Sequence, residues 1–594
     1  MDAFSSSFFT PVPSVPVPPP SKAFFFLPNF TVFSVRTEDR PSSKPTSKPP
    51  QQPPGNPSSY NKLALIQEKK KNHFPPLQRL TVAVCDVVDD MINRFVDPAF
   101  RRPSFDPKHV LTGIYAPVAE LPPTECSEVE GELPPCLAGA YIRNGPNPKF
   151  FPQSPYHLFD GNGMLHSLLL SQDRAIFCSR FVKTYKFQVE EKAGRAVYPN
   201  LFSAMHGFGG IVRIAIISAR ASTGQVDYSK GCSPANTSVA MLGNKLLALW
   251  ESDLPYAVRL TSQGDISTLG RCNFDGKLSA AMTAHPKLDH DTGEVFAFRC
   301  EFTLPYLTYF WFDSNGHKQQ DVPIYSLQHR SLIHDFAITK QYAVFVDVNI
   351  VIDPLRMISG EGRLFGKDET KVSRIGVIPR YASDESEMTW LDVPGLNAIH
   401  IINAWDEIND DGTDSIVMVA PSVHSVQDAL QEPHLIRNSV EKVKINLKTG
   451  EVQRIRLAEN LDWGVINPGY TGKKSRYVYM ARATGVAKLD MDADGGENCV
   501  VAEREWGPDC FAGEPFFVAR HPDDGDAEED DGYVVTFMHD SSNAGAGESR
   551  FLVMDAKSAT LQIVASVKLP GRVPYGFHGL FVSERDLRRQ SSNL

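Results

Sequence analysis

The chain has 594 residues, of which 42% are hydrophobic and 22% charged, and a formal net charge of −10; this length suits one large closed architecture such as a propeller, or several small domains. It has no apolar run of the ~18 residues that a spanning helix requires, and no sustained Lys/Arg stripe to neutralise phosphates, so nucleic acid is not an expected partner. Nine cysteines without a CxxC pair fit neither a disulfide framework nor a zinc ribbon and read as reduced thiols.

Residues 1–60 open with MDAFSSSFFT and PVPSVPVPPPSK and carry only Asp2 as an acid before Glu38. Such a stretch cannot pack a core and resembles a chloroplast transit peptide followed by a Pro/Ser-rich linker. In the next segment, 61–110, Leu80, Val84, Val87, Val88, Met91, Ile92 and Phe95 recur at helical spacing, opposite Asp86, Asp89, Asp90 and Asn93. The pattern predicts an amphipathic helix between Pro76 and Pro98, with its acids on the wet face and its apolar face packed on the domain or laid on lipid. Because the polar face is acidic, lipid binding would rest on apolar burial rather than charge.

From about Tyr115 the texture changes to short β-prone runs such as KLLALWESD, GEVFAFRCEF and YVVTFMHD, punctuated by TGE, SNG and DDG turns. This predicts a mainly β body, 111–585, of many short antiparallel sheets, with propeller and sandwich array both open because no repeat of fixed length stands out. Residues 201–220 are the second helix candidate, the acidic 523–531 reads as a solvated loop insert, and 586–594 as a tail.

The chain has 16 histidines and no HxxxH or HExxH pair to seat two metal ligands on one helix. His285, His334, His400 and His578 each sit among apolar or turn residues beside a β-run, where a neutral imidazole is costly unless hydrogen-bonded or liganded. His157, His166 and His206 share that setting, so chemistry alone does not select four.

The selection comes from resemblance. GAYIRNGPNP (139–148), HLFDGNGMLHSL (157–168), LLALWESDLPY (246–256), AAMTAHPKLD (280–289), LIHDFAIT (332–339), IHIINAWDE (399–407), GEPFFVAR (513–520) and LPGRVPYGFHG (569–579) resemble, in order, blocks of the carotenoid cleavage dioxygenases, most of all the plant plastid subgroup four. The resemblance implies a seven-bladed β-propeller with a small helical cap over an iron site. It also implies that His285, His334, His400 and His578 bind one Fe(II), with dioxygen as co-substrate. Four neutral imidazoles would leave the ion its full double charge and two further coordination positions. The family orients three of its histidines with glutamates, and the matching positions are Glu251, Asp462 and Glu514. Asp462 is shorter than the usual acid, so its hydrogen bond is expected to be longer, shifted or bridged by water. A second departure is the short connection after Ala481, in RATGVAKLD, where relatives carry more residues.

The implied reaction is oxidative cleavage of a carotenoid double bond, at the nine-ten bond or its mirror, to apocarotenoid aldehydes or ketones such as β-ionone. Nine-cis-epoxycarotenoid cleavage is the alternative within the family, and a non-catalytic carotenoid-binding lipid-droplet protein the alternative outside it. A rod-shaped polyene calls for an apolar tunnel, for which Phe302, Tyr306, Tyr309, Phe310, Trp311 and the INAWD segment (402–406) are the expected lining. Its insolubility calls for peripheral contact with plastid membrane or plastoglobule lipid, and no obligate protein partner is inferred.

Overall fold

Strands such as Gly485–Asp490 are buried at every position instead of every second one, because each sheet is covered on both faces by neighbouring sheets. The computed structural model describes residues 76–590 except 101–102, 173, 358–362, 432–435, 494–498 and 542–546; the transit peptide and linker expected over 1–60 lie outside the described residues. Within it, seven antiparallel sheets each begin with a short inner strand. These are β1 (Ser238–Leu242), β2 (Lys287–Leu288), β3 (Phe336–Ile338), β4 (Asn403–Ile408), β5 (Asp462–Val465), β6 (Phe516–Ala519) and β7 (Gly579–Ser583).

Seven apolar clusters join each sheet to the next and the last to the first, for example Val239 and Leu246 with Ala140 and Ile142, and Tyr479 and Ala481 with Phe517 and Val534. The sheets therefore form a closed ring, the seven-bladed propeller that the resemblance implied and that periodicity left undecided. The ring is fastened twice. β7 pairs with the far earlier strand Gly139–Asn147, and Val129–Gly131 adds an outer strand to the blade of β6. Gly139 permits the first pairing, since a Cβ there would lie 2.3 Å from the carbonyl oxygen of Val582. All nine cysteines are free.

The helices of nine residues or more among the described residues are α1 (Pro76–Met91), α2 (Tyr185–Ala193) and α3 (Gly207–Ser222), and a shorter one, Val426–Gln431, brings Leu430 to the cavity at the histidines. The second helix candidate thus begins six residues later than expected. α1 corrects the sequence reading more deeply, because its acids face the protein. Asp86 accepts from the fully buried Arg220 at 2.7 Å. Asp90 accepts from Arg195 at 2.7 Å, and Asp97 just beyond the helix accepts from buried Arg213 at 2.6 Å. α3 carries two buried guanidinium groups that need counter-charges, and α1 turns its acids inward to supply them. Leu77, Leu80, Val84, Val87, Met91 and Phe95 are left more than half exposed, and Phe208, Ile211 and Ile214 of α3 are exposed as well. Val88, in contrast, packs inward with Cys85, Ile92 and Ile216.

The acidic stretch 523–531 is also more than a solvated insert. Glu529 accepts from the backbone N–H groups of Arg476 and Tyr477 at 2.8–2.9 Å, Lys488 donates to Asp530 at 2.6 Å, and Arg520 to Asp531 at 3.1 Å. It latches the blade of β5 to that of β6.

Candidate metal centre

The starts of the inner strands converge at one end of the ring. His285, His334, His400 and His578 stand one to three residues before β2, β3, β4 and β7. The same place holds Thr237 before β1, Asp462 at β5 and Glu514 before β6. One blade in the ring thus contributes one polar side chain, which is why the four histidines are widely spaced in sequence.

The ring centroids lie 4.5 Å apart for His285–His334 and His285–His578, 5.1 Å for His334–His400 and His400–His578, and 5.2 Å for His285–His400. Candidate ligand nitrogens of His285, His334 and His400 all fall within 4.8 Å of one another, and the Nε2 atoms of His285 and His334 face each other at 2.9 Å. Carboxylates fix two of the rings. His334 Nδ1 is 2.5 Å from Glu251 Oε2, and His578 Nδ1 is 2.7 Å from Glu514 Oε1. The other Glu514 oxygen accepts from Gly579 N–H at 2.8 Å. Each carboxylate claims Nδ1 and so turns Nε2 towards the other histidines.

Burial, followed by the neighbouring imidazoles, pushes His285 and His400 well below the ordinary histidine range. Burial acts the same way on His334, but the charge and hydrogen bond of Glu251 outweigh it and leave His334 raised. The four rings are half-buried, and those of His334, His400 and His578 line a cavity. His400 Nε2 is buried without a hydrogen-bond partner. Clustered imidazole nitrogens, one of them orphaned and two of them held against protonation by burial, fit a divalent transition-metal ion.

Asp462 differs from Glu251 and Glu514. Its Oδ1 accepts from Trp463 N–H at 2.8 Å, and none of the described hydrogen bonds joins it to a histidine. Burial raises its pKa. Trp463 itself sits at φ +53°, where non-glycine residues are uncommon. Its indole N–H donates to Tyr575 Oη at 3.1 Å, and its ring stands 5.1 Å from His578 and 5.6 Å from His400.

A cavity of 160 Å³ opens on the histidines, walled chiefly by apolar groups including Phe202, Trp250, Leu332, Ile399 and Leu430. A second cavity of 350 Å³ shares Phe159, Ile436, Asn438, Asp462, Trp463 and Phe577 with it and reaches Arg482 and Ala483. The connection after Ala481 is a hairpin with Ala483 and Thr484 at its tip, and Ala481 pairs with Asp462. It therefore lines the second cavity and backs Asp462.

The expected tunnel lining is corrected. Tyr309 and Phe310 are wholly buried in the cores between blades, Trp405 of the INAWD segment is core, and Phe302 is 58% exposed; none of the expected residues lines the cavity at the histidines. The aromatic run alternates between the two covered faces of one blade, which consumes it as core. His157 and His166 are buried apart from the cluster, His157 against Phe105, Phe159 and Phe202, and His166 against Phe177. Sequence reasoning missed Asp335, Lys287 and Trp463. Their signal is adjacency, since each follows a candidate site residue by one or two positions.

Residues 115–583 match the family model RPE65, retinal pigment epithelial membrane protein. The chain is 54% identical over 525 residues to the probable carotenoid cleavage dioxygenase 4, chloroplastic, of Arabidopsis thaliana, covering 86% of this chain and 87% of that protein. It is 52% identical over 525 residues to the 9-cis-epoxycarotenoid dioxygenase NCED1, chloroplastic, of Oryza sativa subsp. japonica, covering 86% and 81%. In fold it is similar to the lignostilbene dioxygenase of Pseudomonas brassicacearum, with a TM-score of 0.67 at 22% identity over 80% of this chain and 98% of that one. A propeller of this plan, four histidines converging at its inner strands and a family model matched over 115–583 together make the chain a member of the RPE65 family, the carotenoid oxygenases.

Proposed function

We propose that the protein is a plastid Fe(II) dioxygenase that cleaves a carotenoid at the nine-ten double bond or its mirror, yielding two carbonyl fragments. The observation that carries this reading is the convergence of four imidazoles, three of them lining an apolar cavity and two of them oriented by carboxylates. His285, His334, His400 and His578 would hold the ion, and Glu251 and Glu514 fix the tautomers of His334 and His578. When bound, Fe(II) supplies the redox chemistry by which both atoms of dioxygen add across one C=C.

The chain's own task is positioning. No side chain at the site needs to transfer a proton, and burial holds His285 and His400 neutral. Phe159, Phe202, Trp463 and Phe577 exclude water and confine an extended apolar molecule, so that one bond of a long conjugated series lies at the histidines. The two cavities sharing the Trp463 wall offer length on both sides of that bond. The exposed apolar stripes of α1 and α3 support withdrawal of the substrate from a plastid membrane or plastoglobule by peripheral contact; no helix among the described residues is long and apolar enough to cross a membrane.

The similarity to a 9-cis-epoxycarotenoid dioxygenase favours a second reading, cleavage of an epoxycarotenoid, which would use the same histidines. Incubating iron-loaded protein with β-carotene and with a 9-cis-epoxycarotenoid, then weighing the products by mass spectrometry, separates the two. Alanine at His334 or His400 should abolish both iron content and cleavage, whereas alanine at His157 or His166 should leave iron largely in place. Full iron content and rate in the His334 or His400 variants would refute the assignment.

A further inference from the structure

Three of the four candidate ligands share one carboxylate. Asp335 directly follows His334 and is 4% exposed. Its Oδ1 accepts from Phe336 N–H at 2.7 Å and lies 2.7 Å from Lys287 Nζ, while its Oδ2 accepts from Ile401 N–H at 2.8 Å. Ile401 is the residue after His400, and Lys287 stands two residues after His285. One side chain is therefore tied to the starts of β2, β3 and β4, the segments that carry His285, His334 and His400.

These are the same three residues whose ligand nitrogens lie within 4.8 Å of one another. His578 falls outside that group, comes from the blade where the ring closes, and has its own carboxylate in Glu514. Asp335 does not line the cavity at the histidines, so it has no part in holding substrate. A buried carboxylate costs several kcal/mol unless well paired. Two backbone donors and an ammonium satisfy it through charge-assisted bonds, roughly twice as strong as neutral ones. The strength of those bonds makes the spacing of three inner strands depend on one group.

We propose that Asp335, together with Lys287, is the positioning residue that sets the three-histidine half of the metal site. This rests on the iron reading above. The test uses the full-length chain with Fe(II) alone as probe, in the wild type, Asp335→Asn, Lys287→Met and the double variant. Fe(II) affinity is measured by chelator competition, the thermal midpoint on metal-free protein, and the electron paramagnetic resonance spectrum on the Fe(II)–nitric oxide form. Asp335→Asn should weaken Fe(II) binding about ten- to a hundredfold and alter the nitrosyl spectrum, since one amide oxygen cannot serve both backbone donors and the ammonium. The double variant leaves no uncompensated charge, so it should regain the metal-free midpoint without regaining Fe(II) affinity. Wild-type affinity in Asp335→Asn, or affinity and midpoint recovering together in the double variant, would show a merely structural role. Where Asp335→Asn does not fold, Lys287→Met decides: about tenfold weaker binding supports the proposal and unchanged binding with an unchanged spectrum overturns it. If the wild type itself binds no Fe(II), the metal reading fails with it, whereas a wild type that binds beside unaltered variants refutes Asp335 alone.

Discussion

A carboxylate shortened by one methylene draws its oxygens back by about 1.5 Å, and the carboxylate of Asp462 accepts from the backbone N–H of Trp463 instead of from a histidine ring. Asp462→Glu should restore the reach, retaining or raising turnover and tightening iron up to about tenfold. A strong fall in steady-state turnover would mean that the backbone around Trp463, already at φ +53°, has settled around the shorter acid. Single residues were unevenly legible. Glu251 and Glu514 are each hydrogen-bonded to a histidine. Resemblance chose His285, His334, His400 and His578 from among seven histidines in similar settings, which hydrophobic context alone did not do. Asp335 stayed hidden because its partners, Lys287 and Ile401, are backbone and side-chain neighbours only once β2, β3 and β4 come together.

At the scale of the element, α1 was legible as a helix and misread in orientation. Periodicity reports that apolar and acidic residues take opposite faces, and the default is to turn the apolar one inward. Here Arg213 and Arg220 of α3 are buried, and their demand for Asp86, Asp97 and Asn93 decides the roll of the helix. The exposed face should bind neutral galactolipid vesicles by burial. Each CH₂ removed from water contributes about 0.8 kcal/mol, so changing Val84, Val87 and Met91 together to Ser should weaken flotation roughly a hundredfold or more. Binding should be unchanged by salt, because the acids are engaged with arginines. Detergent-dispersed carotenoid should still be cleaved. Flotation that survives the triple substitution, or that high salt abolishes, would count against this account. Strands were easier to recognise than their assembly, since runs buried on both faces suit a propeller and a stack of sandwiches equally well.

The whole molecule responds to acid through buried histidines, those outside the cluster as well as His285 and His400. Burial pushes His157 down to about 3, and burial followed by the charge of Arg143 holds His166 and His539 well below the ordinary 6.5. Unfolding frees these rings to take protons near 6.5, so the unfolded chain binds more protons below that pH. Their stabilising effect is full above about 6.5 and is lost as pH falls towards the depressed folded values, by about 1.4 kcal/mol per pH unit for each ring. Urea unfolding of iron-free protein between pH 7.5 and 5.5 should show the decline, and His166→Phe should flatten it by one ring's share. An unchanged slope would mean that His166 titrates normally. Closure of the ring is the other global property: Gly139→Ala would force a Cβ against Val582 and should cost about 1–3 kcal/mol together with part of the iron, since β7 begins one residue after His578. A normal thermal midpoint and full iron content would contradict that link. The order in which the chain is made gives the same closure a further meaning. His285, His334 and His400 leave the ribosome long before His578, and the strand that delivers His578 finds its place only beside Gly139–Asn147, far earlier in the sequence. A chain still being translated carries three of the four candidate ligands and lacks His578, so on the proposed iron reading the four-histidine site would be complete only once synthesis and closure of the ring are complete.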